Sequence, residues 1–174
     1  MMYTFGNPKE FAISYELDIN QCGSWLFGKF CYWIGGEMVG DYDMGTSLRD
    51  VLLSLRSIVV DNGNRENINL FGLSHEELYM RLDSTLYGGG ERSDYEELAE
   101  EECWARFKIF PSVDIFDDWK IYLIDSPSKA RIVYSFCSKN VVEFNFSSGI
   151  FDQVATSIFD TLSNIYESEV KKSE

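Results

Sequence analysis

The hydrophobic period of this chain switches from two to about 3.6, back to two, and again to 3.6. That order constrains the fold more than any single motif does. Phe11 to Ile19 alternates, placing Phe11, Ile13, Tyr15, Leu17 and Ile19 on one face of a half-buried strand. Ser24 to Ile34 is β-rich in aromatics, and Gly35-Gly36 offers a two-residue hairpin turn into Glu37-Met38-Val39. The opening therefore reads as a meander of three antiparallel strands.

The period then lengthens. Ser47 and Asp50 have capping-box spacing, and Leu48, Val51, Leu52, Leu55, Ile58 and Val59 follow as one apolar stripe until Asn62-Gly63-Asn64. Ser74 and Glu77 form a second capping box, with Leu73 and Leu78 as a hydrophobic staple. Leu78, Leu82 and Leu86 line that helix, and Gly88-Gly89-Gly90 ends it. Strand patterns return at Trp104 to Phe110, Trp119 to Ile124, Ala130 to Phe136 and Val141 to Phe146, with a turn at Asp125 to Lys129. Ser147 or Ser148 caps a last helix carrying Ile150, Phe151, Val154, Ile158, Leu162 and Ile165 on one side, and the polar residues 167–174 are expected to fray. The expected fold is α+β: a mostly antiparallel sheet of about six or seven strands with three or four helices packed on it. A single domain spans 1–174, and a 45% apolar share is ample for its core.

Charge bears on partners rather than on fold. The formal net charge is −14, with 29 acidic residues against 15 Lys and Arg. Seven acids fall between Glu91 and Glu102 beside the single Arg92, in a segment that reads equally as a short helix capped at Ser93 or as a flexible loop. Such acidity excludes nucleic acid and anionic membranes as direct partners, both of which select for Lys/Arg patches. No leading apolar segment or membrane span is present, so a cytoplasmic location is expected. The four scattered cysteines then read as reduced small hydrophobes.

No catalytic, metal or cofactor motif emerges. The lone His75 sits in the first turn of a helix, and Gly88-Gly89-Gly90 lacks the lysine and following helix of a phosphate cradle. Asp114, Asp117 and Asp118 could take a hard cation, but no EF-hand loop surrounds them, which favours a solvated loop with Trp119 as an interface anchor beside it. Like charges repel, so concentrating them makes sense where something basic docks. Tyr95, Glu96, Glu97, Glu100 and Glu101 are the main candidate contacts. Asp114, Asp117, Asp118 and Trp119 form a secondary surface, and Asp41-Tyr42-Asp43 is a smaller acidic site.

Phe5-Gly6-Asn7-Pro8 with Phe11-Ala12-Ile13, then Trp25 to Gly36, Gly40-Asp41 and Leu48 to Leu55, resemble the immunity 42 family. The resemblance is concentrated in about the first 60 residues and rests on glycine and hydrophobic positions. It implies a cytoplasmic antitoxin of a polymorphic toxin or contact-dependent inhibition system. Such a protein binds the C-terminal domain of its cognate toxin and blocks it without a reaction of its own. Many such toxin domains are nucleases with basic grooves, which agrees with the charge argument. A monomer is expected, with the aromatic stretch Trp25 to Trp33 as core. Two other readings are an acidic adaptor for a basic cellular partner and a hydrolase built on paired carboxylates.

Overall fold

The computed structural model describes residues 1–20, 23–88 and 104–173. The first alternating segment becomes β2 (Phe11–Leu17), the centre of an antiparallel sheet. It pairs on one side with β1 (Met2–Gly6), which the sequence reading had not picked out, and on the other with β3 (Phe27–Ile34). The two-residue turn forms as expected. Gly35 and Gly36 take φ of +61° and +93°, positive values that a primed hairpin turn requires, and lead into β4 (Glu37–Val39). The short β5 (Thr46–Ser47) pairs the other end of β3. β6 (Trp119–Asp125), β7 (Lys129–Phe136) and β8 (Val141–Ser147) form a second antiparallel sheet. The fold is α+β, with its strands divided between two sheets.

Four α-helices complete the described residues: α1 (Leu48–Val60), α2 (Ile68–Phe71), α3 (His75–Tyr87) and α4 (Ile150–Ser173). Ser47 caps α1 by accepting from the Asp50 N–H, but the Asp50 carboxylate turns to Arg49 instead of closing the box. At α3 the box between Ser74 and Glu77 is complete, and Gly88 ends the helix in the left-handed conformation. The last helix runs on through the polar residues beyond Glu167, where Lys172 pairs with Glu169.

Side-chain alternation decides what each face covers. Phe11, Ile13, Tyr15, Phe30, Tyr32 and Ile34 of the first sheet share one core with Ile121, Leu123, Ile132, Tyr134 and Phe146 of the second. The stripes of α1 and α4 close it, with Leu48, Val51, Leu55, Phe151, Ile158 and Leu162 all buried. The opposite face of the second sheet, Tyr122, Ile124 and Val133, packs against Leu70, Leu78, Tyr79, Leu82, Trp104 and Phe107 in a smaller core. Helices therefore cover more than one face.

Trp104 to Phe110 is not the strand that its alternation suggests. Trp104–Phe107 is a 3-10 turn, whose three-residue period brings the Trp104 and Phe107 rings together, 6.1 Å apart, in the smaller core. A single bridge from Lys108 to Tyr122 follows, and Ile109 and Phe110 then enter the larger core. Burial on two different sides, not pairing along one edge, sets this segment's pattern.

One charged group lies entirely inside. The fully buried Arg65 donates from Nε to the Arg106 carbonyl (2.7 Å), from Nη1 to Asn62 Oδ1 and Asp152 Oδ1 (3.0 Å for the latter), and from Nη2 to the Ile58 carbonyl. It joins the end of α1, the start of α4 and the turn at Trp104–Phe107. Beside it, burial first and the Asp152 charge second push the Asp125 carboxyl up to about 6 from the ordinary 3.8. A raised carboxyl holds its proton more tightly folded than unfolded. Its stabilising contribution is thus complete below about pH 4 and is lost as pH rises through about 6, a change of about 2–3 kcal/mol. Asp125→Asn cannot ionise, so its urea midpoint should gain on that of the native protein between about pH 4 and neutrality. Parallel midpoints across that range would refute the assignment.

Candidate functional site

Among the described residues, exposed acids gather where three loops meet. The first is the 3-10 turn Asp114–Phe116, whose alternation drives Ile115 and Phe116 into the core and leaves Asp114, Asp117 and Asp118 outside. The Asp117 N–H donates to the Asp114 carbonyl (3.0 Å), holding the turn closed. The second loop follows β4. Its Asp41 N–H donates to the Ile115 carbonyl (2.9 Å), setting Asp41 beside that turn, while the exposed Asp43 pairs with Lys29 (3.3 Å). The third element is the junction of β5 and α1, where Asp50 occupies the first turn of α1, a position that the helix dipole favours for an anion.

Between these loops lies a groove of about 600 Å³, lined by Asp18, Asp50 and Asp114 together with Trp25, Phe27 and Met44. Trp25 and Phe27 are 47% and 39% exposed, and their rings stack 6.1 Å apart at 6°. The cause is local. Leu26, fully buried between them, takes φ of +54°, a rare and costly value for a branched side chain, and its burial leaves the two flanking rings outside. The Arg49 guanidinium lies 3.6 Å from the Trp25 ring centroid, with Nε and Nη2 donating to Asp50 Oδ1 at 3.0 and 2.9 Å.

The residues singled out from sequence separate into three groups. Asp114, Asp117 and Asp118 stand together and are joined by Asp41. Trp119 is half-buried against Phe136 (4.9 Å) and Tyr134 (6.3 Å), and it lines a different, apolar groove of about 420 Å³ with Met38, Val39 and Val142. Tyr95, Glu96, Glu97, Glu100 and Glu101 lie outside the described residues. The sequence reading missed Asp18, Trp25, Phe27, Met44 and Asp50. A signal existed: if Phe30, Tyr32 and Ile34 face inward, period two sends Trp25, Phe27 and Trp33 the other way. Reading the aromatic stretch as uniformly core obscured it.

A larger groove of about 850 Å³ runs between α1 and α4, lined by Leu52, Leu53, Val59, Val60, Phe159 and Tyr166. Its cation Arg56 shares it with Asp160 and Glu167, so it lacks the one-sided charge of the acidic groove. The carboxyl with a strongly raised pKa, Asp125, is 8% exposed and lines none of these grooves. It gives no support to a hydrolase with paired catalytic acids. Among the described residues no group of three or more His, Cys, Asp or Glu is placed to hold a metal ion, and no helix is long and apolar enough to cross a membrane.

Comparison with known proteins bears on this arrangement. No match is found among curated proteins. Among solved structures, the crystal structure of CdiI from Burkholderia dolosa AUO158 is similar at a TM-score of 0.68 and 20% identity, covering 92% of this chain and 99% of that one. That likeness is one of fold. The family model of Immunity protein 42 matches residues 1–161, well beyond the segment in which the sequence resemblance was concentrated. The chain belongs to the immunity protein 42 family and is, as a member, a toxin-neutralising immunity protein.

Proposed function

We propose that this protein neutralises its cognate toxin by laying its acidic loops across a basic active groove, most simply that of a nuclease. It would belong to a polymorphic toxin or contact-dependent growth inhibition system and act in the cytoplasm on the toxin's C-terminal domain. The observation that carries this reading is the convergence of Asp41 with Asp114, Asp117 and Asp118 from separate parts of the chain onto neighbouring loops. Opposed potentials accelerate encounter and reject wrong partners, and desolvated charge pairs slow dissociation. By sequence alone, Tyr95, Glu96, Glu97, Glu100 and Glu101 add further negative charge for a basic partner, and Trp119 supplies an anchor beside Asp117 and Asp118.

A growth-rescue assay tests it. The toxin domain encoded immediately upstream is induced with and without this protein, and the pair is then purified at low and high salt. Rescue with a salt-resistant one-to-one complex is expected. A neighbour that kills regardless would sink the immunity pairing, and a weak complex lost at moderate salt would favour an acidic adaptor.

A further inference from the structure

We propose that the groove beside Trp25 receives an arginine-bearing segment of the toxin, with the Trp25 ring and the surrounding carboxylates as a guanidinium site. The inference rests on the immunity reading and adds to it the chemistry of one contact. An exposed pair of stacked rings beside three carboxylates matches a planar cation better than any other protein group. Arginine stacks on an aromatic face while its fork bonds carboxylates in the same plane. A lysine would use the charge but not the ring plane as well.

The chain itself demonstrates the fit. Arg49 already sits over the Trp25 ring, its guanidinium carbon 3.6 Å from the centroid, and forks onto one oxygen of Asp50. Asp18 and Asp114, both exposed, form no ion pair with any described residue, so the groove carries more negative charge than Arg49 offsets. Its volume of about 600 Å³ leaves room for a further side chain. Arg49 is thus an internal occupant of the stacking position, and a toxin arginine either displaces it or stacks over the adjoining Phe27 ring. The backbone that carries Trp25 is anchored without a ligand: Ser47 Oγ donates to the Trp25 carbonyl (3.1 Å), and the Leu48 N–H donates to the Leu26 carbonyl. A site held in place before binding loses less entropy on association.

The test measures affinity for the upstream-encoded toxin domain by titration calorimetry, using full-length variants whose urea midpoints match the native protein. Trp25→Ala should weaken binding at least about thirty-fold, as loss of an aromatic hot spot does. The double variant Asp18→Asn/Asp114→Asn keeps the rings and should weaken binding about tenfold while flattening its salt dependence. Arg49→Gln vacates the ring and should bind at least as tightly as the native protein. Native affinity in both Trp25→Ala and the double variant would overturn the proposal. So would an Arg49→Gln loss equal to that of Trp25→Ala, because Arg49 would then be the contact itself. If the native protein failed to bind the toxin domain, the immunity pairing would fall instead, which keeps the two failures distinct.

Discussion

Replacing Arg65 by alanine is expected to destabilise the protein by about 3–5 kcal/mol, a large part of the stability of any single domain. The guanidinium satisfies acceptors from three elements: the Ile58 carbonyl near the end of α1, the Arg106 carbonyl, and Asp152 in the first turn of α4. Alanine would take the Arg65 donor from the Arg106 carbonyl, leave the Ile58 carbonyl with its bond from the Asp61 N–H (3.3 Å), and leave the Asp152 carboxylate with only its bond from the Gly63 N–H (2.7 Å). The Phe151 ring, 5.1 Å from the guanidinium carbon, would also lose its neighbour. Lysine is not a substitute, because one ammonium cannot reproduce a fork aimed at acceptors in several directions. Urea unfolding is the measurement: a large fall in midpoint at unchanged slope is expected in both variants. A loss below about 1 kcal/mol in Arg65→Ala would mean that water replaces the guanidinium and that the cluster is not what joins the helices.

Phe116→Ala should cost about 3–5 kcal/mol as well, and for a reason tied to the site. The ring is 1% exposed and contacts Tyr32 at 5.2 Å, Phe30 at 6.2 Å and Phe110 at 6.4 Å. A Cβ at Gly40 would lie only 3.0 Å from it, so the loop after β4 closes directly over this side chain. Phe116 is therefore the plug that fixes both acidic loops to the core. Its removal should loosen Asp114, Asp117 and Asp118 relative to Asp41, lowering toxin affinity together with stability. Asp117→Asn, on the exposed side of the same turn, should leave stability within about 0.5 kcal/mol of native. Equal midpoints for the two variants would show that the turn is not held by its buried ring.

Much of this fold is written in local patterns. The Gly35-Gly36 hairpin, the Ser74 capping box and the alternation of β6, β7 and β8 each depend on neighbours in sequence, and all three form as read. What escaped depends on distant partners. β1 is mostly exposed and carries little apolar periodicity, and its pairing with β2 (Tyr3 opposite Tyr15, Phe5 opposite Ile13) is what makes it a strand. The division into two sheets is likewise set by which faces share a core, and no single segment encodes it. Trp104 to Phe110 alternates but serves two cores, so its pattern misleads.

The site was partly legible for the same reason. Acids at Asp114, Asp117 and Asp118 are visible as a local cluster, and their exposure follows from the apolar residues between them. Their meeting with Asp41, and of Asp114 with Asp18, Asp50 and Trp25, depends on contacts across the fold. Trp25 in particular lies on the outward parity of this aromatic stretch, but the positive φ of Leu26 that seats it there is not written in any hydrophobic pattern.

The central claim is that the acidic loops are the surface that meets the toxin. Its most direct test is calorimetric titration of the upstream-encoded toxin domain into the native protein and into the combined variant Asp114→Lys/Asp117→Lys/Asp118→Lys. All three positions are exposed, so the variant should fold with a native urea midpoint. Like charges set against a basic groove cost several kcal/mol, so affinity should fall at least about a hundred-fold, with the deficit shrinking as salt is raised. A variant that folds and binds at native affinity would contradict the account and move the toxin interface to another face of the molecule.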